Sequence, residues 1–94
     1  MAKILLVEDD ALVRSNMTRL LASSGHGVRG VGSAGAALAE APVFAPDLVV
    51  LDVGLPDFDG IECARRVRAL KYGGPLIFLT AYDSDEIVND AIEL

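Results

Sequence analysis

The sequence has few of the features that assign a protein to the secreted, membrane-spanning or nucleic-acid-binding classes. A single cysteine, Cys63, excludes a disulfide within the chain. The longest aliphatic or aromatic runs have four residues, far fewer than the roughly 20 that cross a bilayer, and the first ten residues lack the apolar stretch of a signal peptide. Eight basic residues against fourteen acidic ones give a net charge of −6, which opposes contact with phosphate backbones and anionic lipids. We therefore expect a cytoplasmic protein in which this segment binds neither nucleic acid nor membrane.

The hydrophobic content is high, at 52% of 94 residues, and predicts one globular domain with a buried core. Short apolar segments alternate with segments of helical length. The predicted strands are Ile4–Val7, Val28–Val31, Leu48–Leu51 and Leu76–Leu79. The first, third and fourth are apolar at consecutive positions, which is typical of strands covered on both faces. The second has valines only at its first and last positions, and we expect it nearer a sheet edge.

A helix is predicted after each strand. The first begins at the cap Asp10 and carries an apolar stripe of Val13, Met17, Leu20 and Leu21. The second, Ala34–Ala41, follows the cap Ser33 and is expected to end before Pro42, because a residue before proline disfavours helical geometry. The third follows Gly60 and runs to Lys71, before the turn Tyr72–Pro75. The fourth follows Ser84 with the stripe Ile87, Val88, Ala91 and Ile92. Strict alternation of this kind predicts an α/β protein with a doubly wound parallel sheet.

Acidic residues follow two of the predicted strands at the point where each strand ends. Glu8, Asp9 and Asp10 follow the first strand, and Asp52 follows the third. In a parallel sheet both positions lie on the same edge, so neighbouring strands about 4.8 Å apart would crowd the carboxylates together. Such a cluster requires a proton or a cation, and oxygen ligands of this type suit Mg²⁺. Asp10 alone is also explained as a helix cap.

Three segments resemble the motifs of the receiver domain of two-component response regulators. Ile4–Asp10, with Arg14 five residues after Asp9, is similar to the opening acidic motif of that family. Leu51–Gly60 resembles its phosphorylation loop, and Phe78–Ala81 resembles its strand that ends in Thr or Ser. The motifs occur in the family's order, each on the element predicted for it. The resemblance implies a flavodoxin-like receiver fold of the CheY-like superfamily, with strand order 2-1-3-4.

The resemblance also assigns roles to residues. It implies that Asp52 accepts a phosphoryl group from a histidine kinase or phosphotransfer protein, and that Thr80 donates a hydrogen bond to that group. Mg²⁺ would be bound by Asp9, by Glu8 through water, by Asp52 and by the backbone carbonyl of Gly54. The protein would be a signalling domain that assists its own phosphotransfer and dephosphorylation, and not an enzyme.

The family's fifth strand, with its lysine and aromatic switch residue, and its fifth helix have no counterpart in the 94 residues. Residues 1–94 are therefore expected to be a single receiver domain that is incomplete at its C-terminus. An uncovered Leu76–Leu79 edge would favour pairing between chains. We accordingly expect a homodimer, including one formed by strand exchange at that edge.

Three other functions are weighed against this one. A haloacid-dehalogenase-type phosphatase needs a second aspartate two residues after the nucleophile, where this chain has Gly54. A flavodoxin-like cofactor module needs a phosphate-binding loop after the first strand, where Glu8, Asp9 and Asp10 would repel phosphate. A receiver-like interaction module that is not competent for phosphorylation remains open.

Overall fold

The structure is a computed structural model that describes residues 2–52 and 60–79. The predicted fourth helix and the site residues Gly54 and Thr80 lie outside those residues. The described elements are β1 (Lys3–Val7), α1 (Ala11–Ser23), β2 (Gly27–Val31), α2 (Ala34–Phe44), β3 (Leu48–Asp52), α3 (Gly60–Ala69) and β4 (Leu76–Leu79). In the described part of the chain, no helix combines the length and the apolar character needed to cross a membrane.

The four strands form one parallel sheet in the order β2-β1-β3-β4, as predicted. The chain starts at the centre of the sheet, moves to β2 at one side, and then crosses to β3 and β4 on the other. The register pairs Val7 with Val31 on one side and with Leu51 on the other. The ends of β1, β2 and β3 are therefore level, so the loops that follow them emerge at one edge of the sheet.

Helices cover both faces of the sheet, which confirms the doubly wound class. One face of β1 and β3 packs against α2 and α3 in a buried cluster that comprises Leu5, Val7, Ala34, Ala37, Ala41, Val49, Leu51, Cys63, Ala64 and Val67. The other face contributes Ile4, Leu6 and Val50. The alternation of these two sets along β1 and β3 explains why both strands are apolar at consecutive positions. Cys63 is fully buried, so its thiol serves as packing.

The apolar stripe of α1 is less buried than its spacing predicts. Met17 and Leu21 pack against the Ile4, Leu6 and Val50 cluster, whereas Leu20 is 71% exposed and Val13 is 42% exposed. The reason is the position of the helix, which lies over β2 and β1 at one side of the sheet. Only the part of the stripe that faces these two strands is covered.

The predicted end of α2 before Pro42 is wrong. The helix continues through Pro42 to Phe44 and ends at Ala45, which adopts a left-handed conformation with φ of 50°. A proline in a helix removes one N–H donor, and here the loss is limited to a single bond near the helix end. The N–H of Ala45 donates to the carbonyl of Ala41 at 3.0 Å and closes the last turn.

The remaining boundaries differ little from prediction. Asp10 and Ser33 cap α1 and α2 with their side-chain oxygens, as predicted. Helix α3 ends two residues before Lys71, whose left-handed φ of 69° turns the chain toward β4. Strand β2 is half-buried at the sheet side, as expected, whereas Ile77 in β4 is 48% exposed and so departs from the two-sided burial predicted for that strand.

Candidate metal centre

Three carboxyl groups meet where β1 and β3 end. Glu8, Asp9 and Asp52 each offer an oxygen, and these oxygens all lie within 4.8 Å of one another. Glu8 is buried, Asp52 is half-buried and Asp9 is exposed, so the cluster has a closed inner side and an open outer side. The sequence predicted this cluster of three, and the structure brings it together.

Strand register explains the convergence. Glu8 directly follows Val7, and Asp52 directly follows Leu51, which is the partner of Val7 in the parallel ladder. Glu8 and Asp52 are thus at equivalent positions on adjacent strands. Leu79, the partner of Asp52 on β4, is the residue immediately before Thr80 in the sequence. The last described residue of β4 therefore lies beside Asp52, on the side away from Glu8.

Glu8 is the buried acid of the cluster, and its surroundings shift its pKa. Burial raises its pKa to about 6, and the carboxyl of Asp52 contributes through its charge and a hydrogen bond with Glu8. The N–H of Asp10 donates to Glu8 Oε1 at 3.3 Å and partly opposes this rise. With three acids in one place, a proton on Glu8 relieves the repulsion in the metal-free protein.

The donor set fits Mg²⁺. All three ligands are carboxylate oxygens, the type that Mg²⁺ prefers. Two oxygens bound to one Mg²⁺ at about 2.1 Å lie about 3 Å apart in adjacent positions and about 4.2 Å apart in opposite positions. The observed upper limit of 4.8 Å is slightly larger, so the cluster can bind the ion with a small side-chain adjustment, or with one carboxylate acting through water.

Asp10 plays a different part from its two neighbours. Its Oδ1 accepts hydrogen bonds from the N–H groups of Leu12, at 2.9 Å, and Val13, at 3.0 Å, and so caps α1. The simpler interpretation of this residue, as a cap, is therefore the one that the structure supports. The carboxylate of Asp10 is committed to the helix, whereas those of Glu8 and Asp9 belong to the cluster.

Sequence reasoning placed Arg14 in a motif but gave it no contact. Its Nη1 donates to the backbone carbonyl of Glu8 at 2.8 Å, and its aliphatic part lies against Gly30 of β2. The only sequence signal for this contact was the pair Gly30 and Gly32, which leaves room beside β2. That pair becomes informative only when the position of α1 over β2 is known.

Comparisons with known proteins show the family of this chain. The family model for the response regulator receiver domain matches residues 4–94. The chain is 39% identical over 94 residues to the DNA-binding transcriptional activator DevR/DosR of Mycobacterium tuberculosis, covering 98% of this chain and 43% of that protein. It is 39% identical over 83 residues to the alkaline phosphatase synthesis transcriptional regulatory protein PhoP of Bacillus subtilis, covering 88% of this chain and 35% of that protein.

Solved structures show the same fold. The BeF3-activated N-terminal receiver domain of Klebsiella pneumoniae RstA superposes with a TM-score of 0.88 and 33% identity, covering 97% of this chain and 77% of that one. The Vibrio cholerae chemotaxis protein CheY4 superposes with a TM-score of 0.90 and 30% identity, covering 96% and 77%. The chain belongs to the response regulator receiver domain family of two-component systems, a family of signalling domains, and spans less than half the length of the two curated relatives.

Proposed function

We propose that this chain is a phosphoacceptor domain in which Asp52 receives a phosphoryl group from a histidine kinase or phosphotransfer protein, with Mg²⁺ bound by the neighbouring acids. The observation that carries the proposal is the convergence of Glu8, Asp9 and Asp52 at one edge of the sheet. Membership of the receiver family supports it. The half-buried position of Asp52 leaves its carboxylate open to a donor that approaches from the outer side.

The transfer is a displacement at phosphorus. An oxygen of the Asp52 carboxylate forms a bond to the phosphorus of a phosphohistidine, while the P–N bond breaks and its electron pair stays on the imidazole nitrogen. The product is an acyl phosphate on Asp52. Glu8 and Asp9 hold negative charge beside the acceptor, and that charge would repel the phosphoryl group in the absence of a cation. Bound Mg²⁺ would neutralise charge on the phosphoryl oxygens.

Other groups complete the proposed site. The backbone carbonyl of Gly54 is proposed as a further Mg²⁺ ligand, and the hydroxyl of Thr80 as a donor to a phosphoryl oxygen. Support for Thr80 comes from its neighbour Leu79, which lies in register with Asp52. The chain would act as a signalling domain that assists its own phosphorylation and dephosphorylation, with no external substrate. The two curated relatives named above are transcriptional regulators. We therefore propose that a protein containing this domain has an output in transcription.

Acetyl phosphate tests the proposal without a partner protein. Incubation with Mg²⁺ should add the mass of one phosphoryl group to the intact chain, and EDTA should prevent the addition. Asp52→Asn should abolish the adduct, because an amide oxygen is a poor nucleophile. Asp10→Asn is the matched control, since it removes a charge from the same edge while an asparagine still caps α1.

The result separates the two functions that fit the fold. An adduct in the wild type and in Asp10→Asn, but not in Asp52→Asn, supports phosphoacceptance. A correctly folded wild type that gains no mass would overturn the proposal and favour the interaction module that does not accept phosphate. The homodimer expected from the sequence stays a separate prediction, which light scattering on the purified chain measures directly.

A further inference from the structure

We propose that Arg14 is a positioning residue for the carboxylate cluster, because it holds the peptide that joins Glu8 to Asp9. This inference rests on the proposed function, since it assigns a role within the same site. Arg14 lies in the first turns of α1, and its backbone N–H donates to the carbonyl of Asp10 at 2.8 Å. Its side chain turns back toward the sheet, where Nη1 donates to the carbonyl of Glu8 at 2.8 Å.

The Glu8 carbonyl belongs to the peptide group that joins two of the three proposed ligands, Glu8 and Asp9. A peptide group is planar, so a hydrogen bond to this carbonyl restrains ψ of Glu8 and with it the orientation of the whole Glu8–Asp9 peptide plane. The N–H of Glu8 is held separately, because it donates to the carbonyl of Val31 at 3.0 Å and extends the β1–β2 ladder by one residue. With both backbone groups of Glu8 bonded, the backbone that carries the Glu8 side chain and leads into Asp9 has less freedom to move.

Gly30 in β2 and Gly32, just after β2, provide the space that this contact requires. A Cβ at Gly30 would lie 3.1 Å from Arg14 Cγ and 3.2 Å from the hydroxyl oxygen of Thr18. A Cβ at Gly32 would lie 3.0 Å from Arg14 Nη1, the donor atom itself. Gly27, at the other end of the same strand, has nothing within 4 Å of its Cβ position. The glycines beside Arg14 thus leave a channel for its side chain.

The charge of Arg14 and its positioning role act on cation binding in opposite directions. A guanidinium near the acids repels Mg²⁺, so loss of its charge alone should leave affinity unchanged or raise it. Loss of the hydrogen bond frees the Glu8–Asp9 peptide, so Mg²⁺ binding must then order two ligands and should weaken. Interactions that orient metal ligands contribute about ten- to hundredfold to affinity in other sites.

Isothermal titration with MgCl2 measures whether the loss of Arg14 weakens or strengthens Mg²⁺ binding. Arg14→Met keeps the aliphatic stem and removes the donors, and it should bind Mg²⁺ about tenfold more weakly than the wild type. Arg19→Met is the matched control, because it removes the same charge from an exposed position on the same helix. It should bind Mg²⁺ as tightly as the wild type, or slightly more tightly. Arg14→Lys should recover part of the affinity, because an ammonium can still reach a carbonyl.

A substitution at Gly32 displaces Arg14 without removing its charge, and the same substitution at Gly27 is its control. Gly32→Ala places a methyl group against Nη1, the far end of a flexible side chain, so the guanidinium can move while the fold persists. It should weaken Mg²⁺ binding in the same direction as Arg14→Met. Gly27→Ala adds the same methyl group where there is open space and should leave binding unchanged. Urea denaturation of each variant verifies that the folded state is retained.

A readout without metal separates this inference from the proposed function. The amide ¹⁵N shift of Asp9 reports on the peptide whose carbonyl Arg14 bonds, and it should move in Arg14→Met and Gly32→Ala but not in the two controls. Failure of the wild type to bind Mg²⁺ would count against the proposed function and leave this shift to decide the role of Arg14. If Arg14→Met binds Mg²⁺ as tightly as the wild type, or its Asp9 shift is unmoved, Arg14 is not a positioning residue.

Discussion

At the scale of single residues, the feature that sets this site apart is the contrast between Glu8 and its neighbours. Glu8 is 6% exposed, and burial together with the Asp52 carboxyl raises its pKa to about 6. Asp9, next to it in the chain, is exposed. A buried acid beside two others is a cost to folding whenever all three are ionised, and a bound cation or a proton removes that cost.

This contrast predicts how stability depends on pH in the metal-free protein. The pKa of Glu8 is near 4.5 unfolded and about 6 folded, so between these values the folded state binds more protons. The free energy of unfolding should therefore fall as pH rises from about 4.5 to about 6, by about 2 kcal/mol in total. Glu8→Gln should remove this slope and be more stable than the wild type at pH 7.

Urea denaturation in EDTA across that pH range measures the effect. Glu40→Gln is a suitable control, because the Glu40 carboxylate pairs with Arg29 at the surface and is not one of the three cluster acids. It should keep the slope that arises from Glu8. Equal pH slopes in the wild type and Glu8→Gln would show that Glu8 does not carry the raised pKa.

At the scale of elements, the loop between β1 and α1 combines a helix start with a ligand pair. Asp10 begins α1 by accepting two backbone hydrogen bonds, while Glu8 and Asp9 turn toward Asp52. The three acids are consecutive in sequence, but their functions differ because strand and helix geometry sends successive side chains in different directions.

Substitutions at Asp10 test this division. Asp10→Ala should lower the free energy of unfolding by about 1 kcal/mol, because two N–H groups of α1 lose their acceptor. Asp10→Ser should stay near the wild type, since a serine hydroxyl also caps a helix. Both variants should still gain a phosphoryl group from acetyl phosphate, as measured by intact mass. Loss of the adduct in a folded Asp10→Ser protein would identify Asp10 as part of the site instead.

At the scale of the whole molecule, the parallel sheet couples the site to global stability. The ligands come from β1 and β3, the two strands at the centre of the described core, and both are buried on each face. An ion that binds only the folded arrangement stabilises it by mass action. Mg²⁺ binding and unfolding should therefore be linked.

Thiol labelling of Cys63 measures this linkage. Cys63 is fully buried on the core-facing side of α3, so a thiol reagent should react with it only after the domain opens. Mg²⁺ at one hundred times its Kd should raise the free energy of unfolding by about 2.7 kcal/mol and slow labelling about a hundredfold. NaCl of equal ionic strength is the control for screening. A labelling rate that Mg²⁺ slows equally in a Glu8→Ala, Asp9→Ala, Asp52→Ala triple variant would mean that the ion acts elsewhere.

Much of the molecule follows from local sequence patterns. Apolar runs predicted β1, β3 and β4, because residues covered on both faces of a sheet leave no polar alternation, whereas only two valines after a turn predicted β2. Ser33 and Asp10 predicted helix starts, because a cap depends on a side chain and backbone groups only two or three residues away. Pro42 misled the same approach, because the helix continues past it, packs Phe44 against the core and closes its last turn with the bond from Ala45 N–H to the Ala41 carbonyl.

Local patterns were enough to predict the alternation of strands and helices, the acids at the ends of β1 and β3, and the motifs of the family. The burial of Glu8, which raises its pKa, the use of Asp10 by α1 and not by the cluster, and the path of Arg14 to the Glu8 carbonyl past Gly30 and Gly32 became evident only from the folded arrangement. The physical reason is distance along the chain. Strand and cap propensities act over a few residues, whereas burial, carboxyl repulsion and the path of Arg14 depend on segments that meet only when the sheet has formed.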